Sequence, residues 1–191
     1  MSLREPALPT KVVTLHRALT AAALDHAFGG ALALAYYAEP RATIDIDLNV
    51  FVAAEQLEAV TAALIPLGVA APPHPTAIAR DGQGRLHWGR TPIDLFFAYD
   101  ALHTAMAGAT RIVPFAETTI PILSPEHLIV CKASFDRPKD WIDIEQMLVA
   151  TAGIDRSEAE RWLDRIVGGG DQRAQRFADL ADRWLGGDRS V

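Results

Sequence analysis

Asp45 and Asp47 stand two residues apart in Thr43-Ile44-Asp45-Ile46-Asp47-Leu48-Asn49-Val50-Phe51. The alternation of apolar and polar residues predicts a strand. Side chains two apart on a strand share a face. Both acids therefore stand on one side, and Ile44, Ile46 and Leu48 are expected to fill the other. Asp is depleted in strands, and neighbouring like charges repel. Keeping both points to a cation held between them. A third acid, Asp94, lies in Thr91-Pro92-Ile93-Asp94-Leu95-Phe96-Phe97, a second predicted strand. If the two strands are neighbours, three carboxylates converge. At about 5 Å and an effective dielectric near 20, each pair costs roughly 3 kcal/mol of repulsion. A divalent cation removes that cost, and oxygen-only ligands suit Mg²⁺ or Mn²⁺. The ordinary reading of Asp94 is a strand residue bonded to an Arg or to backbone.

Two further stretches have the residue types to complete such a site. Gly29-Gly30 falls between a short predicted strand, Ala27 to Gly30, and a helix-prone segment, Ala31 to Tyr37. The pair admits a tight turn, or close approach of a phosphate to backbone N–H groups at a helix start. Further on, Leu128, Cys131, Lys132 and Phe135 fall at i, i+3, i+4 and i+7 of a predicted helix. That spacing puts Lys132 on the stripe expected to face the core. A lysine there snorkels to the edge or meets an anion. The next predicted helix, Lys139 to Ala150, opens with Lys139, Asp140 and Asp143. Their ordinary reading is a solvated helix start with acids near the positive dipole end. The six histidines are scattered without metal-ligand spacing. Cys131 reads as a small buried hydrophobe.

The elements that must position these residues are legible in outline. A helix is predicted over Val12 to His26 after a loose lead-in, and another over Ala54 to Leu64. Thr76–Arg80 and Gly84–Arg90 read as two strands around the turn Asp81-Gly82-Gln83-Gly84. A short helix, Asp100–Gly108, precedes a strand pair, Arg111–Phe115 and Thr119–Leu123. Ser124-Pro125-Glu126 is a helix start, with Ser as N-cap and Pro in the first turn. Residues 1–150 form one expected domain. Residues 151–191 form a helical extension packed on it, with Trp162, Ile166, Phe177, Leu180 and Trp184 as anchors and Gly168-Gly169-Gly170 between two helices.

Composition narrows the setting. Half of the 191 residues are hydrophobic, enough for a sizeable core. A net charge of −6 disfavours bulk electrostatic binding of nucleic acid. A lone cysteine allows no internal disulfide and fits a reducing compartment. No run reaches the roughly 18 apolar residues of a membrane span. The expectation is a cytoplasmic protein with no membrane contact.

Gly29-Gly30, Arg41-Ala42-Thr43, Asp45-Ile46-Asp47-Leu48, Asp94, Lys132 and Lys139 to Asp143 together resemble the nucleotidyltransferase superfamily with the polymerase-beta-like fold. The likeness is to its small bacterial branch of abortive-infection (Abi-type) toxins and covers residues 20–150. One departure is a slightly long spacing between Gly30 and Asp45. The resemblance implies an α/β (α+β) fold: a mixed, mostly antiparallel sheet flanked by helices, with a C-terminal helical segment. It implies transfer of a nucleoside monophosphate from an NTP to a hydroxyl, with Mg²⁺ or Mn²⁺ held by Asp45, Asp47 and Asp94. Gly29, Gly30, Arg41, Thr43, Lys132, Lys139 and Asp143 are the implied nucleotide-binding residues, Asp143 in an orienting role. The acceptor is open: a tRNA end, a protein or a small molecule. An antitoxin partner is implied as well. The alternatives are a non-catalytic nucleotide-binding module of the same fold and a phosphohydrolase using the same carboxylates.

Overall fold

The computed structural model describes residues 5–186. Residues 1–4 of the expected lead-in, and residues 187–191 at the end of the expected helical extension, lie outside the described residues. The chain forms two compact units. One contains the residues up to Leu32 together with Ala42–Leu123. The other contains Ala33–Arg41 and the chain from Ser124 onward.

The first unit is built on one mixed sheet. In chain order its elements are α1 (Leu8–Ala21), β1 (His26–Phe28), the start of α2 (Gly30–Leu34), β2 (Ile46–Val50), α3 (Leu57–Leu64), α4 (Pro75–Asp81), β3 (Gln83–Trp88), β4 (Thr91–Phe97), α5 (Ala101–Gly108), β5 (Arg111–Phe115) and β6 (Thr118–Ile122). The strand order is β3-β4-β2-β1-β6-β5. Three pairings are antiparallel; β2 runs parallel to β4, and β1 parallel to β6. Ile46, Leu48 and Val50 alternate into the core, as do Ile93, Leu95 and Phe97 on β4. Leu15 and Leu19 of α1 and Val60 and Leu64 of α3 are fully buried as well. Removing that apolar surface from water drives the sheet and helices together.

Three expectations are corrected in this unit. The strand carrying the acids begins at Ile46, so Asp45 precedes it, and Ile44 is 76% exposed rather than in the core. Thr76–Arg80 is helical, not extended. Pro75 opens α4 in its first turn, and Gly82, at φ +67°, closes it with its N–H on the Ile78 carbonyl. Pro at the start and Gly just past the end form a helix signature that outweighs the β-branched content. The hairpin therefore joins β3 to β4 and turns at Gly89, φ +59°, and Arg90.

The second unit holds α6 (Pro125–Phe135), α7 (Pro138–Ala150), α8 (Arg156–Val167) and α9 (Gln172–Leu185). Ser124 caps α6 as expected, its Oγ accepting from the His127 N–H. Asp136 ends that helix in the left-handed region, and its side chain accepts from Trp141 Nε1 at 2.7 Å. Gly168-Gly169-Gly170 separates α8 from α9 as read from sequence. Trp162 and Phe177 are buried, while Ile166 and Trp184 are more than a third exposed. The buried face of α6 runs through Leu128, Ile129, Lys132 and Ala133; Phe135, expected on it, is half exposed, and Cys131 lies at its margin. No described helix is long and apolar enough to cross a membrane.

Candidate functional site

β2 is the axis of the carboxylate cluster. In the parallel β2–β4 register Asp47 is paired with Asp94. Register partners on adjacent strands lie about 5 Å apart and point to the same face. The two acids predicted from separate stretches are thus neighbours. On the other side of β2, the Gly29 N–H donates to the Asp47 carbonyl at 2.9 Å. Gly30 follows at φ +53°. A Cβ at Gly30 would lie 1.7 Å from Asp47 Oδ2 and 2.4 Å from its Cγ. The close approach that this glycine permits is made by the Asp47 carboxylate itself. α2 has only five residues, so the dipole it adds is small.

Asp45 sits just ahead of the strand. The Thr43 hydroxyl donates to its Oδ1 and accepts from its backbone N–H at 3.4 Å, an ST-type turn that fixes the carboxylate. Asp94 is gripped by Arg85, which the sequence reading missed. Arg85 Nε and NH2 donate to Asp94 Oδ1 at 2.6 Å and Oδ2 at 2.8 Å. The antiparallel β3–β4 register sets Arg85 directly opposite Asp94. Asp94 holds the Arg85 guanidinium protonated beyond its ordinary range, first through these bonds and then through charge, and Asp45 and Asp47 add to the same field. All three acids therefore act on this one cation. The signal that would have found Arg85 was the turn at Gly89-Arg90; placing the hairpin earlier hid the pairing.

The hard oxygen donors of Asp45, Asp47 and Asp94 fit Mg²⁺ or Mn²⁺ in kind. As the side chains are placed, no three His, Cys, Asp or Glu groups among the described residues form a ready metal cage. Both oxygens of Asp94 accept from Arg85, which leaves a cation only their remaining lone pairs, with a positive charge close by.

The second unit carries a buried charge cluster. Lys132 is 4% exposed, on the stripe expected to face the core. Its Nζ donates to Asp143 Oδ2 at 2.6 Å and lies 3.8 Å from Asp140 Oδ1. Arg41 NH2 donates to the same Asp143 oxygen at 3.2 Å. Arg137 forks onto Asp140 at 2.6 and 3.1 Å. Asp140 is fully buried and Asp143 nearly so, which corrects the reading of both as solvated. Their spacing carried the signal: they sit four residues before Ile144 and Met147, on the core-facing side of α7. Lys132, Arg41 and Arg137 against two carboxylates leave the cluster one positive charge. Lys139 of the same helix is exposed.

The histidines take ordinary places. His16 Nδ1 lies 2.9 Å from His26 Nε2, His103 pairs with Asp100 at 2.7 Å, and His127 Nδ1 lies 3.0 Å from Ser124 Oγ.

The family described as "Nucleotidyl transferase AbiEii toxin, Type IV TA system" matches residues 15–181. No curated protein matches. Among solved structures, the chain is similar to the antibiotic-resistance factor ANT(2'')-Ia, at 18% identity over 94% of this chain and 97% of that one, with a TM-score of 0.59. It is similar to an antigenic nucleotidyltransferase-like protein from Paracoccidioides brasiliensis, at 14% identity over 94% and 89%, TM-score 0.55. It is also similar to the lincosamide antibiotic adenylyltransferase LnuA, at 12% identity over 74% and 97%, TM-score 0.51. At these identities the likeness concerns the fold: a mixed sheet with flanking helices.

Proposed function

The chain belongs to the AbiEii family of nucleotidyl transferase toxins of type IV toxin–antitoxin systems, and from that premise we propose that it moves a nucleoside monophosphate from an NTP to a hydroxyl acceptor with a divalent cation on Asp45, Asp47 and Asp94. The observation that carries this reading is the register pairing of Asp47 with Asp94, flanked by Asp45. In the reaction the acceptor oxygen bonds to the α-phosphorus, the bond from that phosphorus to the β-phosphate bridge breaks, and pyrophosphate leaves. Bound Mg²⁺ or Mn²⁺ supplies charge neutralisation for the triphosphate and the departing pyrophosphate. The residues of the chain do the rest. Thr43 orients Asp45. Gly30 leaves room for the Asp47 carboxylate. Asp94 takes the proton of the acceptor hydroxyl. Arg41, Lys132, Lys139 and Asp143 serve the nucleotide, with Asp143 anchoring Lys132.

The acceptor in this reading is an RNA end such as that of tRNA, a protein or a small molecule, and an antitoxin is the partner. In this reading the protein works in the cytoplasm, where NTPs are at hand. The test is transfer of label from α-labelled NTPs to total tRNA, to protein and to small hydroxyl compounds, with Mg²⁺ or Mn²⁺. Transfer that disappears in Asp47→Asn supports the reading. No transfer, together with no calorimetric NTP binding, overturns it.

A further inference from the structure

Arg85 forks onto the carboxylate that would complete the metal site. The two bonds, 2.6 and 2.8 Å, take one to each oxygen of Asp94. Bidentate pairing of this kind takes one lone pair on each oxygen and holds a full positive charge against the carboxylate, so an approaching divalent cation meets a part-filled group and a like charge. Placement also makes the fork releasable: the Arg85 side chain is 56% exposed and Asp94 20%. The Arg137–Asp140 fork in the second unit offers a contrast. There the carboxylate is fully buried, and removing its cation would strand a charge away from water. Arg85 can swing into solvent and leave Asp94 partly hydrated, whereas Arg137, though 52% exposed itself, would leave Asp140 buried. Without a metal, the paired carboxylates Asp47 and Asp94 need another cation nearby, and Arg85 is within the field of Asp45, Asp47 and Asp94 together.

We propose that Arg85 is an internal counter-cation of the carboxylate site, with which a divalent metal competes for Asp94. Metal and guanidinium then compete for one carboxylate, and Arg85 sets the metal concentration at which the site assembles. The inference rests on the reading of Asp45, Asp47 and Asp94 as a metal site.

The test is calorimetric titration with Mn²⁺ alone, without nucleotide, on the full chain. Replacing a half-exposed fork worth about 1 kcal/mol is expected to tighten Mn²⁺ binding about fivefold in Arg85→Gln. Arg85→Lys keeps a charge but not the fork, and is expected to fall between Arg85→Gln and the wild type. Asp47→Asn is the control that must lose binding. Tighter binding in both Arg85 variants supports the proposal. If the wild type binds Mn²⁺, Asp47→Asn abolishes it and Arg85→Gln binds equally or more weakly, the Arg85 proposal alone is overturned. If no protein binds Mn²⁺, the metal-site reading falls and the proposal with it.

Discussion

A Cβ added to Gly30 would stand 1.7 Å from Asp47 Oδ2, so the glycine and the carboxylate occupy a single, shared volume. Alanine at position 30 displaces Asp47, and at φ +53° it adds backbone strain of about 1–2 kcal/mol. A shift of about 1 Å in a reacting group costs on the order of 100-fold in rate. Gly30→Ala should lose nucleotide transfer by that order while unfolding only a few degrees lower. Retained transfer with the fold intact would refute the link.

Lys132 and Asp143 form a pair with side chains only 5% exposed. Taking away one partner leaves the other charge buried. Lys132→Met is expected to destabilise the protein by less than the roughly 3–5 kcal/mol of a fully stranded charge, because Arg41 still reaches Asp143. The double variant Lys132→Met/Asp143→Leu should recover part of that loss, because no carboxylate is then stranded at position 143. Urea denaturation of the four-member cycle measures the coupling.

Acid sensitivity should begin near neutrality. Burial holds His16, His26 and His127 below the ordinary imidazole value of 6.5, with Arg17 adding to the effect at His16. At His26 the bond to the Leu24 carbonyl opposes it. A base with a depressed folded pKa is protonated more readily in the unfolded chain. Stability is therefore full above pH 6.5 and declines as pH falls toward the folded values. A proton on His26 Nε2 also turns it from acceptor to donor toward His16 Nδ1, which forces His16 to change tautomer. Urea midpoints between pH 7.5 and 5 should fall, and His26→Gln should flatten the slope.

A second acid transition should follow from Glu5. Lys11 is fully buried and donates to Glu5, to the Trp88 carbonyl at 2.7 Å and to Thr91 Oγ1 at 2.8 Å. The bond from Lys11, then that from the Arg90 N–H, lowers the Glu5 carboxyl from 4.5 to about 2. An acid depressed on folding adds stability above its unfolded pKa and loses it as pH falls through the folded one. Glu5→Gln should remove the part of the pH dependence lying between 4.5 and 2, as thermal midpoints in that range will show.

The carboxylates were legible because strand alternation is a short-range pattern: Asp45, Asp47 and Asp94 could be picked out from their immediate neighbours. The cap at Ser124 followed from a similarly local signal, whereas the mixed sheet was implied only by the family likeness. Arg85 was not legible, because its role depends on register. Reading Thr76–Arg80 as a strand moved the turn from Gly89-Arg90 to Asp81–Gly84, and the residue opposite Asp94 was lost with it. Asp140 and Asp143 were misjudged for another reason. Helix-start acids are usually solvated, and their burial became intelligible only once Arg137, Lys132 and Arg41 were seen to converge on them.

The parallel contact between β2 and β4 bears on biosynthesis. Asp45 and Asp47 leave the ribosome well before Asp94, with α3, α4 and β3 between them. Closing that long crossover is an entropic step that short-range structure cannot replace. A nascent chain ending at β3 carries two acids and the Arg85 cation but no third carboxylate. Under the proposed metal site, the carboxylate pair is therefore assembled only when β4 docks beside β2.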